Sequence, residues 1–271
     1  MENSALNIVV LVKYVPDAQF DRHLRDDNRL DRSESILSEL DEYALEAALA
    51  LADARGGAKA GNNVTALTMG PAPAVAAVKK SLQIGAYAGV HLNDDALAGS
   101  DASATSLALA AAIRTLGTVD LVLTGMSSTD GETSIVPAQL AARLGLPQVT
   151  FASHVDVRSD ADGHTVLARR DGDETSEQIE APLPALVSVT DQANDPRYPN
   201  FKGIIAAKKK KVTTLTLADI GVSADAVGPA GSLTRVDSAA PRPHRTAGTI
   251  ITDSGDAGIQ LVDFLAAQKL I

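Results

Sequence analysis

The chain has 271 residues, of which 45% are hydrophobic and 21% charged, a balance typical of one large globular domain or of a domain with an appendage. Its net charge of −10 at pH 7 argues against general nucleic-acid binding, and its lack of cysteine excludes disulfides, thiolate catalysis and cysteine metal sites. No signal peptide or membrane-spanning stretch is recognisable in the sequence, so the cytoplasm is the expected location.

The first half of the chain alternates apolar runs of strand length with segments of helical periodicity. Residues 7–15 predict a first buried strand, and the charged residues 17–32 predict a surface loop. The elements expected next are a helix over 41–54, a strand over 64–69, a helix over 73–84, a strand over 90–92, a helix over 101–116 and a strand over 120–124. Because alternating strands and helices form right-handed βαβ units, this order predicts an α/β fold with a parallel sheet.

The run over residues 119–147 is the strongest candidate for a functional site. A buried strand ends at Gly125, a polar loop follows, and helical periodicity begins at Ile135 and stops at Gly145. A helix N-terminus at the carboxyl edge of a sheet favours phosphate, because its free N–H groups and the helix dipole both attract anions. The run is neither a Walker loop nor a G-x-G-x-x-G fingerprint, so an ordinary turn is the competing interpretation.

After residue 148 the pattern of the sequence changes. Residues 149–157 and 165–169 alternate apolar and polar side chains, which predicts antiparallel strands at an edge of the sheet. The remaining elements expected are a solvated acidic connection over 171–180, a buried strand over 184–190, a weak helix over 201–207 and an edge strand over 212–217.

The last part of the chain predicts an arm with a terminal helix. Residues 223–248 are rich in glycine and proline and poor in large apolar side chains, whereas residues 257–271 regain helical spacing. We therefore expect an α/β nucleotide-binding domain over residues 1–222 and an arm over 223–271. The apolar terminal helix docks either on its own domain or on a partner subunit.

The side chains indicate no catalytic machinery. The five histidines are scattered without metal-binding spacing, and no G-x-S-x-G elbow is present. Asp130 and Glu132 lie close together in the loop, where solvated or ribose-binding carboxylates are a better interpretation than an acid–base pair. The basic run of residues 208–211 is either a solvated face or a docking surface for an acidic partner.

Several stretches together resemble the β subunit of electron transfer flavoprotein, including its bacterial FixA-type branch. In chain order they are IVVLVKYVPD, DEYALEAALAL, TALTMGPAPA, SLQIGAYAGVHL, VDLVLTGMSSTDGETSIVPAQLAARLGLPQVTF, DPRYPNFKGIIAAKKKKV and RTAG. The sixth, at residues 195–212, corresponds to the partner-recognition loop and lysine run of the family. The resemblance covers almost the whole chain in the right order.

The resemblance implies an electron carrier with no catalytic residues of its own. The family is an αβ heterodimer whose FAD is held mainly by the α subunit. It takes electrons from flavin dehydrogenases such as the acyl-CoA dehydrogenases of fatty acid β-oxidation and passes them to a membrane quinone oxidoreductase. The implied fold is a three-layer, Rossmann-like (adenine nucleotide α-hydrolase-like) parallel sheet with an antiparallel edge and an extended C-terminal arm, which contacts the α subunit.

The resemblance also implies two sets of site residues. The nucleotide site would be lined by Leu11, Ser38, Glu39, Leu40, Asp41, Met69, Gly125, Met126, Ser127, Ser128, Thr129, Asp130, Gly131, Glu132, Thr133, Ser134, Ile135 and Val136. The partner-docking set would be Pro196, Arg197, Tyr198, Phe201, Lys208, Lys209, Lys210 and Lys211, with Phe201 in the position of the apolar anchor.

Departures from the family pattern leave the nucleotide and the class of function open. The ordinary branch, which binds AMP here, often has asparagine and glutamine where this chain has Ser134 and Ile135. Asp130 and Gly131 match the D-G of bifurcating relatives, which bind a second FAD, but the residues that follow do not. AMP is the expected nucleotide. The alternatives are a bifurcating β subunit and a stand-alone ATP- or AMP-binding module of the universal-stress or ATP-pyrophosphatase type.

Overall fold

A computed structural model describes residues 5–161, 163–240, 243–245 and 247–271. The chain divides into two compact units, the first ending at Asp237 and the second comprising Ser238–Ile271. Thr246, within the RTAG stretch, lies outside the described residues.

The strands and helices of the first unit follow the expected alternation. Its strands are β1 (Asn7–Leu11), β2 (Tyr14–Pro16), β3 (Ser35–Leu37), β4 (Asn63–Met69), β5 (Ala88–Leu92), β6 (Leu121–Gly125), β7 (Gln148–Ala152), β8 (His154–Asp160), β9 (Gly163–Asp171), β10 (Ser176–Pro182), β11 (Ala185–Val189) and β12 (Val212–Leu215). Its helices are α1 (Glu39–Ala54), α2 (Val75–Ile84), α3 (Ala102–Arg114), α4 (Val136–Leu144), α5 (Phe201–Ala207) and α6 (Gly228–Gly231).

The central element is a seven-stranded sheet in the order β12-β5-β4-β1-β6-β11-β7, with every neighbouring pair parallel. From β1 the chain proceeds to β4 and β5 on one side and then returns to β6 on the other side of β1. The strand order therefore reverses between β1 and β6, and ligands of open α/β sheets bind at the carboxyl ends of such strands.

Two apolar cores lie on opposite faces of this sheet. Along β1, Ile8 and Val10 belong to one core, together with apolar residues of α1 and α2, whereas Val9 belongs to the other, together with residues of α3 and α4. Successive side chains of a strand point to opposite faces, so each buried strand contributes to both cores. The expected three-layer, Rossmann-like fold is confirmed.

The antiparallel strands differ from the expectation, because β8, β9 and β10 form a separate three-stranded sheet instead of an edge of the main one. The predicted strand over 149–157 is divided into β7, which is a parallel edge strand, and β8. At the division Phe151 has φ 58°, and the pairing register shifts between Val187 and Val189 on the neighbouring strand. Thr150 and Phe151 of β7 thus face the single residue Ser188 of β11, so the left-handed residue belongs to a β-bulge near the point where the chain leaves the main sheet.

Two further expectations were wrong. The predicted first strand stops at Leu11, and residues 14–16 pair instead with residues 35–37 in a small antiparallel sheet. The segment over 171–180 contains the start of β10 and is not merely a solvated connection. Strand β10 pairs along its whole length with β9 while most of its side chains remain exposed, so its polar sequence carries little strand signal.

Residues 223–237, which were expected to begin the arm, belong to the first unit. Val227 is buried in the core that contains α3 and α4. One carboxylate oxygen of Asp101 caps α3 by accepting the Ala104 N–H at 2.9 Å, and the other accepts the N–H groups of Leu233 and Thr234 at 2.8 and 2.9 Å. The base of the arm is thus fixed to the start of α3.

The second unit contains one helix, α7 (Ala257–Ala267), among its described residues. Large apolar side chains of this unit are exposed, namely Ile250, Ile259, Leu261, Val262, Phe264, Leu270 and Ile271. None of the helices in the described part of the chain is both long and apolar enough to cross a membrane.

We expect Asp101→Ala to lower the free energy of unfolding by about 2 kcal/mol, since it removes a helix cap worth about 1 kcal/mol and leaves the Leu233 and Thr234 N–H groups without their acceptor. Urea denaturation measures the loss. Glu174→Ala is the control, because Glu174 is exposed between β9 and β10. Equal denaturation midpoints for the two variants would show that Asp101 does not hold residues 233 and 234.

Candidate functional site

A pocket of about 130 Å³ lies at the carboxyl ends of β4, β1 and β6, beside the point where the strand order reverses. Helices α3 and α4 and the start of α1 complete its walls. Its lining residues are Leu11, Val12, Lys13, Asp41, Leu67, Met69, Thr105, Leu109, Thr124, Gly125, Ser127, Ser128, Thr133, Ser134, Val136 and Pro137.

The end of β6 passes very close to the start of α1 at Gly125. A Cβ atom at this position would lie 2.8 Å from Asp41 Oδ1 and 2.8 Å from the Leu40 carbonyl oxygen. Real Cβ atoms do not approach other atoms so closely, so only glycine fits at the end of this strand. The contact brings the Asp41 carboxylate to the wall of the pocket.

The Asp41 carboxyl group is buried and tied to the end of β1. Its Oδ2 accepts the Lys13 N–H at 2.7 Å. Burial raises the pKa of Asp41 to about 7, because a charged carboxylate loses its hydration in this position, although the hydrogen bond and the charge of Lys13 act in the opposite direction. The pocket therefore contains an acid that changes its charge near neutral pH.

A second carboxylate, Asp130, lies in the loop between β6 and α4 and is neutralised by two cations. Its Oδ1 accepts Lys13 Nζ at 2.7 Å, and its Oδ2 accepts Arg32 Nη2. Burial alone would raise the pKa of Asp130, but the positive charges of Lys13 and Arg32 hold it well below its usual range. One carboxylate shared by two cations leaves this side of the pocket with a net positive charge.

The rest of the loop delivers backbone N–H groups to the start of α4. Glu132 and Ser134 have φ values of 50° and 51°, which are left-handed conformations that cost of order 1–3 kcal/mol each. No side chain in the described part of the chain caps α4. An uncapped helix N-terminus beside a net positive charge is suited to bind an anion such as phosphate.

Similarity to known proteins covers nearly the whole chain. Residues 29–220 match the electron transfer flavoprotein domain. The electron transfer flavoprotein subunit beta of Mycobacterium leprae is 46% identical over 268 residues, which are 98% of this chain and 99% of that protein. The chain belongs to the electron transfer flavoprotein β-subunit family. The resemblance found in the sequence is confirmed, whereas its FixA-type branch stays a prediction.

Two more distant members of the family show how far the similarity extends. The electron transfer flavoprotein subunit beta of Megasphaera elsdenii is 33% identical over 278 residues, covering 98% of this chain and 100% of that protein. CarD, a subunit of the caffeyl-CoA reductase–Etf complex of Acetobacterium woodii, is 34% identical over 249 residues, covering 91% of this chain and 92% of CarD.

Half of the nucleotide-site residues suggested by the sequence line the pocket of this β subunit. Those that do are Leu11, Asp41, Met69, Gly125, Ser127, Ser128, Thr133, Ser134 and Val136. Of the others, Ser38 is fully buried before α1. Four are exposed, namely Glu39, Gly131, Glu132 and Ile135. The remaining four are partly exposed, namely Leu40, Met126, Thr129 and Asp130, and of these Asp130 binds the pocket residue Lys13. The structure brings the first group together around the pocket, whereas the second group does not line it.

Sequence reasoning missed several pocket residues, and the reasons differ. Three of them could have been found, because ligands bind where parallel strands end: Lys13 follows β1, and Leu67 and Thr124 lie near the ends of β4 and β6. Thr105 and Leu109 on α3 carried none, since they follow the ordinary spacing of a helix that faces the core. Arg32 was assigned to a surface loop, yet it pairs with Asp130.

The expected partner-docking residues lie in the segment over residues 194–211, which contains α5. Tyr198 and Phe201 are 88% and 76% exposed, and Lys208, Lys209 and Lys211 are exposed as well. Arg197 and Lys210 differ from the other members of the set, because their charged groups bind other parts of the same unit. Arg197 binds Glu46 and Asp53 of α1, and Lys210 donates to carbonyl groups at the end of α2, so neither presents its charge freely to solvent.

Among the described residues no group of three or more histidines or carboxylates is arranged to hold a metal ion. The arrangement therefore offers a small pocket with one protonatable carboxyl group, one carboxylate paired with two cations, and an uncapped helix start of the kind that suits an anion. These parts are suited to hold a nucleotide.

We expect the pH dependence of unfolding to reveal Asp41. Its folded pKa of about 7 lies above the ordinary pKa of 3.8 for an aspartate side chain, so the unfolded chain releases this proton at lower pH than the folded chain. Neutral Asp41 therefore makes its full contribution to the free energy of unfolding below pH 4. This contribution decreases by up to about 1.4 kcal/mol for each pH unit as the pH rises towards 7.

Asp41→Asn removes the proton while keeping the shape of the side chain. Urea denaturation at pH 5 and pH 8 should show a loss of stability for the unsubstituted protein that is larger than the loss for Asp41→Asn. If the two proteins lose the same amount of stability, Asp41 is ionised throughout this range. Asp225→Asn, at an exposed site in the same unit, is the control.

Proposed function

We propose that this β subunit pairs with an electron transfer flavoprotein α subunit and serves as an electron carrier. In this proposal an FAD held mainly by the α subunit takes electrons from flavin dehydrogenases of the acyl-CoA dehydrogenase type and passes them to a quinone oxidoreductase. The observation that carries the proposal is the match over 98% of the chain to a curated β subunit, with 99% of that protein covered.

We propose AMP as the nucleotide of the pocket. The anion-binding start of α4 suits a phosphate group, and the net positive charge of the Lys13, Arg32 and Asp130 cluster adds to it. Ser38 Oγ is buried without a hydrogen-bond partner among the described residues, so an unused polar atom lies close to the start of α1. These features support a bound nucleotide at this position.

AMP is preferred to the alternative, a second FAD, because the residues after Asp130 and Gly131 do not complete the pattern of the bifurcating relatives. A bifurcating β subunit with a second FAD remains the second candidate, and the D-G pair at Asp130 and Gly131 favours it. The stand-alone module loses its support, since the chain belongs to a subunit family.

The proposed mechanism assigns no proton transfer to this chain. The flavin supplies the one- and two-electron chemistry when it is bound. The residues of the β subunit hold the nucleotide, stiffen the loop between β6 and α4 and expose a surface to partners. Asp130, paired with Lys13 and Arg32, fixes that loop, and Asp41 fixes the ends of β1 and β6 against α1.

We further propose that the chain contacts the α subunit through its C-terminal part. The unit over residues 238–271 exposes Ile259, Val262 and Phe264 on α7, which are side chains that a partner surface would bury. We therefore assign the contact with the α subunit to residues 238–271, and not to the whole arm from residue 223 onward. The location in the cytoplasm stays a prediction.

Docking of the dehydrogenase is proposed to occur at the segment over residues 194–211. Phe201 begins α5 and is 76% exposed, and Tyr198 lies nearby in the chain with 88% exposure. Exposed aromatic side chains that enter a partner pocket are typical binding hot spots. The exposed lysines Lys208, Lys209 and Lys211 would add attraction for an acidic partner surface.

Co-expression with the cognate α subunit tests the proposal as a whole. A yellow heterodimer that releases AMP on denaturation, with one FAD per dimer, is the expected product. Two FAD per dimer would replace the proposal by the bifurcating alternative. A colourless homodimer that hydrolyses ATP would overturn both.

Gly125→Ala should weaken nucleotide binding at least about tenfold, equivalent to ~1.4 kcal/mol, because the added methyl group forces Asp41 and the pocket wall apart. The measurement is the amount of AMP that remains bound to the purified heterodimer after dilution and gel filtration. Gly172→Ala adds the same methyl group at ordinary contact distance, 3.5 Å from the Thr175 oxygen, and should retain AMP. Equal AMP content in the two variants would contradict the assignment of the pocket.

Phe201→Ala should raise the KM of an acyl-CoA dehydrogenase for the carrier about tenfold or more, as the loss of a hot-spot anchor does. Flavin content should stay unchanged, since the Phe201 side chain is exposed and does not line the pocket. Phe20→Ala, at another exposed phenylalanine, is the matched control. A loss of flavin, or an unchanged KM, would argue against a docking role.

A further inference from the structure

The segment over residues 194–211 is attached to the body of the first unit by charged side chains near both of its ends. At the first end Arg197 forms a fork with Glu46 of α1, with Nε donating to Oε2 at 2.7 Å and Nη2 donating to Oε1 at 2.8 Å. The Arg197 N–H also donates to Glu46 Oε2 at 3.1 Å, and Nη1 donates to Asp53 Oδ2 at 2.9 Å.

This contact is partly shielded from water. The Glu46 side chain is 11% exposed, and that of Arg197 is 38% exposed. A bidentate guanidinium–carboxylate pair fixes the orientation as well as the position of both groups, which a lysine ammonium does not do. The Asn194 amide adds a bond from Nδ2 to the Tyr43 carbonyl at 3.0 Å, so the contacts of the segment with α1 extend from Tyr43 to Asp53, or nearly three turns.

At the other end Lys210 binds the C-terminus of α2. Its Nζ donates to the carbonyl oxygens of Ala86, Leu82 and Gly85 at 2.6, 3.0 and 3.4 Å. A cation at the last carbonyl groups of a helix satisfies acceptors that have no partner inside the helix and interacts favourably with the helix dipole. Lys210 is therefore a structural residue inside a run of otherwise exposed lysines.

The middle of the segment is held against α2 by a close backbone approach. A Cβ atom at Gly203 would lie 2.5 Å from the Gln83 carbonyl oxygen, so this residue can only be glycine. Asn200 caps α5 by accepting the Gly203 N–H at 2.8 Å. Between the two charged ends, the exposed side chains of Tyr198 and Phe201 project from a backbone that is held in place.

We propose that Arg197 and Lys210 are positioning residues, which hold the segment over residues 194–211 in its binding conformation without themselves contacting the dehydrogenase. The inference rests on the proposed docking function and goes beyond it by naming the contacts that prepare the surface. A short helix of seven residues is unstable on its own, so its order must come from its attachments. A surface ordered before binding avoids the entropic cost of ordering at the interface.

The three exposed lysines and Lys210 contribute to docking in different ways. Lys208, Lys209 and Lys211 act through charge, and their effect on binding decreases with salt. Lys210 acts through three directed hydrogen bonds at the end of α2, which salt screens much less. Substitution of neighbouring lysines with methionine removes the same charge from either group, so Lys209→Met is a matched control for Lys210→Met.

The experiment uses the purified heterodimer and two measurements. Hydrogen–deuterium exchange reports the order of α5, and steady-state kinetics with an acyl-CoA dehydrogenase reduced by its acyl-CoA substrate report docking, at 50 and 300 mM salt. The variants are Arg197→Gln, Arg197→Lys, Lys210→Met, Lys209→Met and Phe201→Ala. Flavin content and thermal unfolding verify that each variant is folded, and Arg197→Lys provides a milder change should Arg197→Gln fail to fold.

In Arg197→Gln and Lys210→Met, the amides of α5 should exchange at least about tenfold faster and the KM for the carrier should rise about tenfold at both salt concentrations, with kcat unchanged. Arg197→Lys should give an exchange rate of α5 and a KM between those of Arg197→Gln and the unsubstituted protein, because it keeps the positive charge but loses the bidentate contact with Glu46. Lys209→Met should leave the exchange of α5 unchanged and raise KM only at 50 mM salt.

Unchanged exchange of α5 in both Arg197→Gln and Lys210→Met would overturn the inference, as would faster exchange with an unchanged KM. Phe201→Ala distinguishes this failure from a failure of the proposed docking function. An unchanged KM in Phe201→Ala would reject docking at this segment, whereas a raised KM in Phe201→Ala alone would keep docking and reject the positioning role of Arg197 and Lys210.

Discussion

The contact between the end of β6 and the start of α1 at Gly125 sets the geometry of the site. With no side chain on Gly125, the Asp41 carboxyl group and the Leu40 carbonyl approach the strand directly. Asp41 then binds the backbone of Lys13 at the end of β1, and the Lys13 ammonium binds Asp130 in the loop that follows β6. Two adjacent strand ends, a helix start and the loop are thereby joined through a few short polar contacts.

This chain of contacts places two carboxyl groups in opposite electrostatic conditions. Asp41 is buried beside a backbone N–H, and burial raises its pKa, whereas Asp130 is shared by two cations that lower its pKa. The loop is accordingly held by an ionised group, and the wall of the pocket carries a group that is half protonated near neutral pH. Such a division suits a site that must keep its shape while it accepts an anion.

The sequence was informative where local rules decide the structure and uninformative where distant residues meet. Periodicity and glycine positions predicted the parallel sheet, and the strand–loop–helix pattern after Asp120 predicted a site at the carboxyl edge. The chain leaves the main sheet for the separate antiparallel sheet next to Phe151, whose left-handed conformation no composition rule predicts. Likewise, the basic run gave no sign that Lys210 differs from its neighbours, because its acceptors lie about 125 residues earlier in the chain.

The bonds of Asp101 determine how mechanical load passes from the C-terminal tail into the α/β body. A pull on the tail beyond Asp237 reaches Thr234 and Leu233 first, and their N–H groups and the Thr234 hydroxyl all end on one carboxylate oxygen at the start of α3. These bonds share the force in parallel, and they transmit it to a helix whose side chains Thr105 and Leu109 line the pocket. Tension applied to the tail is thus delivered to one wall of the pocket.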